Sequence, residues 1–429
     1  MAAPSTHRSP TNRLLTDLDG RRVVLFACAL GGLLVPAYFL AVADTAHLAW
    51  DYRAYYTAAS AALRGESFVG IHSGLPGVTY VYPPVAVALF LPQAALGGWR
   101  VAFAAQTAVN LVAALVLAAL VCRTVAARRG SLPAVDRVAV TAFCVGTAPA
   151  VAVLGQGQVD LLVAVALAGA FLALERDRQA LAGVALAGAA LVKVFPAALG
   201  LWLVWRRAWR ALGAAVLTGL SGLAVGALWF GLDAYRRYLA VLAGRSRVAA
   251  FGGTVSPDFF AMTLFRPLSQ ALPTVDPHLY APLAVLAVVP GVALAVGGER
   301  TVVDRLATYL VALAALLAAS PASNALYVVY LYFPALCLLY IGPARRRGLL
   351  LGATAAVALP LQPAPVGAAL AAVGAPAPVT TTLTGVLAGA LTVASVPLLG
   401  LVAVLAWGAL RGRGPTGRSS PDVRSAPAD

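Results

Sequence analysis

Tyr82-Pro83-Pro84-Val85-Ala86-Val87-Ala88-Leu89-Phe90-Leu91-Pro92-Gln93-Ala94-Ala95-Leu96 is the stretch that decides how the rest of the chain is threaded. Its apolar run, Val85 to Leu96, is interrupted by Pro92, whereas crossing a bilayer as a helix takes about 20 apolar residues. The run is therefore expected to lie along a membrane surface. Counting it as a span would reverse everything downstream and put Arg123, Arg128, Arg129 and Arg137 outside, against the bias that keeps basic residues on the cytoplasmic side.

Working outward, the chain of 429 residues is 61% hydrophobic and only 11% charged, with mean hydropathy +0.86. Soluble domains are about half apolar and about a quarter charged, so this composition describes an all-α polytopic membrane protein. Hydropathy marks about 12 transmembrane helices, near 23–43, 99–122, 138–154, 159–174, 180–192, 194–205, 208–230, 278–297, 302–319, 324–341, 348–372 and 380–409. Val23 to Ala43 follows Arg21-Arg22 and ends in small residues, but it exceeds a signal h-region of roughly 7–15 residues and reads as an uncleaved first span.

With the amino terminus inside, 22 of the 31 basic residues fall on the cytoplasmic side, in clusters such as Arg128-Arg129 and Arg345-Arg346-Arg347. Both termini then face the cytoplasm. Residues 1–20 and 412–429, rich in Ser, Thr, Pro and Arg, read as disordered tails flanking a membrane domain over 21–411. Residues 44–98 become the first extracytoplasmic loop, carrying juxtamembrane helices. The net charge of +15 is dispersed between apolar runs, so the expected partner is the lipid bilayer and not nucleic acid. Cys28, Cys122, Cys144 and Cys337 sit in apolar runs, as small buried hydrophobes do.

Polar residues concentrate in and around that first loop. Asp51 opens Asp51-Tyr52-Arg53-Ala54-Tyr55-Tyr56-Thr57-Ala58-Ala59, where helical spacing puts Asp51, Tyr55 and Ala58-Ala59 on one face. A carboxylate in a partly dry pocket can serve as a general base; the competing role is a helix N-cap. Tyr80-Val81-Tyr82-Pro83-Pro84 is an extended, proline-stiffened segment that can hold aromatic rings at the membrane surface, either for a sugar or simply as an aromatic belt.

Gly155-Gln156-Gly157-Gln158-Val159-Asp160 places amides and a carboxylate at a span boundary. Lys193, the single lysine beside thirty arginines, lies at a helix break with Pro196, where an ammonium could meet a phosphate or snorkel to headgroups. Tyr235-Arg236-Arg237-Tyr238, with Arg245 and Arg247, forms a basic patch on the outer side, suited to phosphate or to anionic lipid. His47, His72 and His278 show no metal-ligand spacing, and neither a metal nor a cofactor is expected.

In order along the chain, the Asp51–Ala59 segment, Tyr82-Pro83-Pro84, Gly157-Gln158-Val159-Asp160, Leu181-Ala182-Gly183, Lys193-Val194-Phe195-Pro196 and Arg206-Arg207-Ala208-Trp209-Arg210 resemble glycosyltransferase family 87. The resemblance covers roughly 45–210 and continues more weakly at Ser320-Pro321-Ala322-Ser323. It implies a GT-C membrane fold and transfer of mannose from a polyprenyl-phosphate sugar donor to a glycolipid or glycan acceptor of the cell envelope. By the same resemblance Asp51 is the base that deprotonates the acceptor hydroxyl, with inversion at the anomeric carbon. Tyr55, Tyr56, Tyr82, Gln158, Asp160, Lys193, Arg236 and Arg237 would line the donor and substrate site.

The chain departs from the family pattern at Asp160, where Asn is often found, at Ser256-Pro257-Asp258, and at Asn324-Ala325-Leu326-Tyr327, which lacks a paired histidine motif. The alternative from another class is a multi-span transporter or lipid flippase, since broken helices and a buried lysine also suit substrate passage.

Overall fold

The computed structural model describes residues 19–41, 48–75, 77–244, 247–253, 255–259, 261–296 and 301–412. Most of both expected tails, and Arg245, lie outside the described residues. The described chain is helical, and its pairings of β type are two isolated bridges, His72 with Thr79 and Ala261 with Asn324.

After α1 (Gly20–Ala41), the first loop holds α2 (Trp50–Leu63), a 3-10 turn (Pro84–Leu89) and the one-turn α3 (Leu91–Ala94). The proline-rich run thus breaks up into pieces too short to cross a bilayer, because prolines sit at the start of both. The bundle continues with α4 (Trp99–Arg129), α5 (Ala134–Gly146), α6 (Ala148–Gln156), α7 (Asp160–Glu175) and α8 (Gln179–Val192). A 3-10 turn (Phe195–Leu199) leads to α9 (Gly200–Trp205), α10 (Trp209–Phe230) and α11 (Leu232–Gly244). Then follow α12 (Phe265–Ala271), α13 (Tyr280–Ala295), α14 (Val302–Ala319), a 3-10 turn (Ala325–Leu331), α15 (Tyr332–Ile341), α16 (Arg347–Ala358), α17 (Pro363–Ala372), α18 (Ala377–Val393) and α19 (Val396–Gly412).

Four of the described helices are long and apolar enough to cross a membrane singly, and the number is seven if each bent pair counts as one span. Three stretches expected as single spans are such pairs: α5 with α6 bends by 47°, the helix ending at Ala358 with α17 by 75°, and α18 with α19 by 47°. Each break coincides with proline in the first turn of the second helix or just before it, at Pro149, Pro360 with Pro363, and Pro397. Proline lacks the N–H that the preceding turn needs, so an apolar run that looks continuous to hydropathy bends there. The chain is an all-α integral membrane protein.

Three separate apolar cores are present among the described residues, the smallest around Phe251, Phe265 and Tyr280. The largest joins α1, α4–α8 and α14–α16 with α19. The second belongs to the first loop and gathers Tyr52, Tyr55, Phe68, Tyr80, Val87 and Phe90 against Val159 at the mouth of the bundle. The loop is therefore a built cap.

One end of the bundle is laced by ion pairs. Arg22 donates to both oxygens of Asp136 at 2.9 and 3.0 Å, and Tyr340 donates to the same carboxylate at 3.2 Å. Arg305 grips Glu175 at 2.7 and 2.6 Å, and Arg411 reaches Asp304. Glu175 ends α7, and Asp160 begins it, so the opposite end of that helix lies roughly 22 Å away at 1.5 Å per residue.

The Leu181-Ala182-Gly183 motif has a packing explanation. A methyl at Gly183 would collide with the Ala211 carbonyl oxygen and lie 2.8 Å from the Ala215 nitrogen, because α8 packs directly along the backbone of α10. Gly183→Val should destabilise the protein by about 1–3 kcal/mol, while Gly188→Ala, with open space around it, should stay within about 0.5 kcal/mol. Thermal unfolding of the two purified variants in detergent checks this; equal melting points would refute the close approach.

Candidate active site

The site forms where the first loop meets the end of the bundle away from the ion pairs. Gly157 ends α6 in the left-handed region at φ +68°, a conformation glycine adopts at little cost. A Cβ there would stand 2.6 Å from the Cβ of Tyr52. Only a glycine lets α6 turn this close under α2. The same join is pinned by the Ala49 N–H donating to the Gly155 carbonyl at 2.9 Å.

The turn delivers Gln158 into the loop cap. Its Nε2 donates to Asp51 Oδ2 at 2.6 Å, and its Oε1 accepts from Tyr55 at 2.7 Å and Tyr82 at 3.0 Å. The two phenol oxygens are themselves 2.6 Å apart. Asp51 sits in the first turn of α2, whose N-cap is Ala49 with no side-chain cap. The capping role considered for Asp51 is therefore not the one it takes.

Burial, followed by the neighbouring Tyr82 and Asp51, holds the Tyr55 hydroxyl well above the usual phenol range. Burial does the same to Tyr82, against the pull of Lys193. Both therefore remain protonated and continue to donate. The Tyr55 ring stacks on Phe90 at 4.5 Å and meets Tyr82 edge-on at 5.0 Å. It is only 1% exposed, so it frames the site from within; Tyr56 and Tyr82 keep partial exposure.

Behind Gln158 runs a polar chain that the motifs did not reveal. Its backbone carbonyl accepts from Asn110 Nδ2 at 2.6 Å and from Gln106 Nε2 at 3.5 Å. Gln93 donates to Gln106 at 2.8 Å, and Tyr52 donates to Gln93 at 2.8 Å. Gln106 and Asn110 are four residues apart on α4, one face of a membrane helix, and buried amides in such a helix are costly unless paired. That i, i+4 pair was the available signal.

Next to this network lies a buried ion pair. Lys193 Nζ donates to Asp160 Oδ1 at 2.6 Å, and Tyr330 donates to the same oxygen. Side-chain exposures are 5% and 0%. The ammonium also lies 4.3 Å from the Tyr327 ring centre and 5.8 Å from that of Tyr82, which links the pair to the Gln158 cluster. Tyr327 stacks in turn on Phe195 at 5.3 Å. Lys193 is thus held by a carboxylate and aromatics, and its burial rules out snorkelling to headgroups in this arrangement.

Arg236 and Arg237 lie apart, on α11. Arg236 pairs with Asp233 at 2.9 Å on an exposed face, and Arg237 donates to Ser67 of the first loop at 2.7 Å. Among the described residues no hydrogen bond or ion pair joins either to Asp51 or Gln158.

The family model described as glycosyltransferase family 87 matches residues 80–321, more than half of the chain. The chain belongs to glycosyltransferase family 87. A search of curated proteins finds no match. The matched stretch contains Tyr82, Gln158, Asp160 and Lys193, whereas Asp51 precedes it; the hydrogen bond from Gln158 is what brings that carboxylate to the matched residues. The helical membrane architecture is consistent with the GT-C placement.

A buried ion pair costs desolvation that only its partner offsets, so breaking it from either side is worse than removing it entirely. Asp160→Asn and Lys193→Met should each cost about 3–5 kcal/mol, and the double variant should cost less than either single one. Unfolding measurements on the three variants decide this; simple additivity would show that the two residues are not coupled.

Proposed function

We propose that this family 87 membrane glycosyltransferase moves a hexose, mannose by its resemblance, from a polyprenyl-phosphate donor to a glycolipid or glycan hydroxyl, with Asp51 as general base. The observation that carries the reading is the 2.6 Å contact from Gln158 Nε2 to Asp51 Oδ2. The Gln158 amide is a neutral donor, so this contact fixes the position of the Asp51 carboxylate without itself placing a cation on it.

The step follows from that placement. The Asp51 carboxylate takes the proton of the acceptor hydroxyl, whose oxygen forms a bond to the anomeric carbon. The bond from that carbon to the phosphate oxygen breaks, and its electron pair leaves with polyprenyl phosphate. Attack opposite to the leaving group inverts the centre, converting a β-linked donor to an α-linked product. Tyr82, partly exposed and linked to Asp51 through Gln158, is a ring available to a sugar, and Tyr56 is partly exposed on the same helix as Asp51.

The arrangement also favours an extracytoplasmic site. Asp160 heads α7 at the site, and Glu175 closes it at the arginine-laced end. If arginine-rich ends face the cytoplasm, Asp51 faces away from it.

The test is transfer of labelled mannose from synthetic polyprenyl-phosphate mannose in membranes carrying wild-type protein or Asp51→Asn. Asparagine keeps an acceptor for Gln158, so the fold should hold while transfer falls about 10²–10⁴-fold. Equal transfer by both would remove Asp51 as the base; labelling residue 51 from the cytoplasmic side would remove the topology.

A further inference from the structure

At the end of the bundle away from the candidate site there is a cavity of about 350 Å³, enclosed by the end of α4, the start of α14, the end of α15 and the start of α16. Its volume is in the range of small-ligand pockets, about 300–1,000 Å³. Three guanidinium groups line it: Arg128, Arg129 and Arg347. Like charges gathered around a common space repel unless an anion lies between them.

The nearby carboxylates are engaged elsewhere. Asp19, the carboxylate nearest in effect to Arg347, is paired with Arg21; Asp304 is held by Arg411 and the Thr301 cap, and Asp136 by Arg22 and Tyr340. Among the described residues, Arg128, Arg129 and Arg347 have no carboxylate partner. Arg347 donates from Nη2 to the Gly342 carbonyl at 3.3 Å, and its Nε is buried without a hydrogen-bond partner. A guanidinium presents a fixed fork of donors matched to phosphate oxygens. The cavity wall also includes Thr301, Val302 and Val303 at the beginning of the 18-residue α14.

We propose that this cavity binds a phosphate group, held by Arg128, Arg129 and Arg347 at the membrane boundary opposite the candidate active site. The phosphate could be carried by a lipid headgroup or be free in solution, and Val302, Val303 and Ile341 give an apolar edge on which a lipid's glycerol could rest.

The full chain is reconstituted in nanodiscs in two arms. In the first, retention of labelled phosphatidylglycerol is compared with that of labelled phosphatidylcholine. In the second, inorganic phosphate is titrated into discs of phosphatidylcholine alone. The variants are Arg128→Gln/Arg129→Gln/Arg347→Gln and a charge-matched control, Arg123→Gln/Arg176→Gln/Arg178→Gln, at exposed positions.

Wild type and control should bind, and the cavity variant should bind about tenfold more weakly for each arginine lost. Preference for phosphatidylglycerol identifies the lipid source, and saturable phosphate binding identifies the free one. If the triple variant fails to fold, Arg128→Gln/Arg129→Gln carries the reading, since both side chains are exposed. The proposal is overturned if neither probe binds wild type, or if control and cavity variants lose binding equally.

Discussion

A side-chain amide, that of Gln158, ties the catalytic candidate in the first loop to the helical bundle. Gln158 has one end that can only donate and one that can only accept, and both are used: the first on Asp51, the second on the phenols of Tyr55 and Tyr82. Asp51 belongs to the cap and Gln158 to the bundle, 107 positions apart in sequence. Were the amide reversed, its oxygen would face the Asp51 carboxylate, two acceptors meeting with no donor between them. The network therefore has one consistent sense, with the amide nitrogen on Asp51 and the amide oxygen on the phenols.

That amide is in turn fixed from behind. Its backbone carbonyl receives Asn110 and Gln106, and the chain of donors runs through Gln93 to Tyr52, back into the cap. The loop and the bundle are thus joined by a closed circuit of hydrogen bonds, seated on the aromatic cluster around Tyr55 and Phe90. Inside a membrane protein a half-satisfied polar group is costly, so such a circuit is stable only when nearly every member finds its partner. Gly157 makes this possible by letting Tyr52 sit where a side chain would otherwise stand.

How much of this could be read in the residues differs by feature. Membrane class follows from hydropathy because apolar length is a one-dimensional property. Asp51, Gln158, Asp160 and Lys193 stood out because charge and amide groups are rare in such a chain. Their pairing did not, because Lys193 and Asp160 are 33 residues apart and Gln158 and Tyr82 76 apart, distances that only the fold closes. Lys193 was legible as a cation at a helix break, but its Asp160 partner was not, because that carboxylate is a neighbour only once α7 and α8 are packed together. The bent spans were missed for a simpler reason. Hydropathy scores proline as permissible in an apolar run, although at Pro149, Pro363 and Pro397 it takes away the donor that would continue the helix.

The two ends of the bundle handle charge by different means, and this difference gives the molecule its polarity. At the arginine-laced end, carboxylates meet guanidinium groups in paired, two-pronged contacts: Asp136 with Arg22, Glu175 with Arg305. Such pairs fix geometry and cancel charge, which suits a scaffold. At the other end Asp160 is cancelled by Lys193, but Asp51 is oriented by a neutral amide and stays partly exposed. A carboxylate cancelled by a bidentate arginine is a poor proton acceptor, because the cation stabilises its charged form and lowers its basicity. A carboxylate positioned by an amide keeps more of its affinity for a proton. Within the Asp51–Gln158–Asp160 cluster the two carboxylates are held differently: Asp160 pairs with the buried Lys193 ammonium, and Asp51 accepts from the Gln158 amide and stays partly exposed.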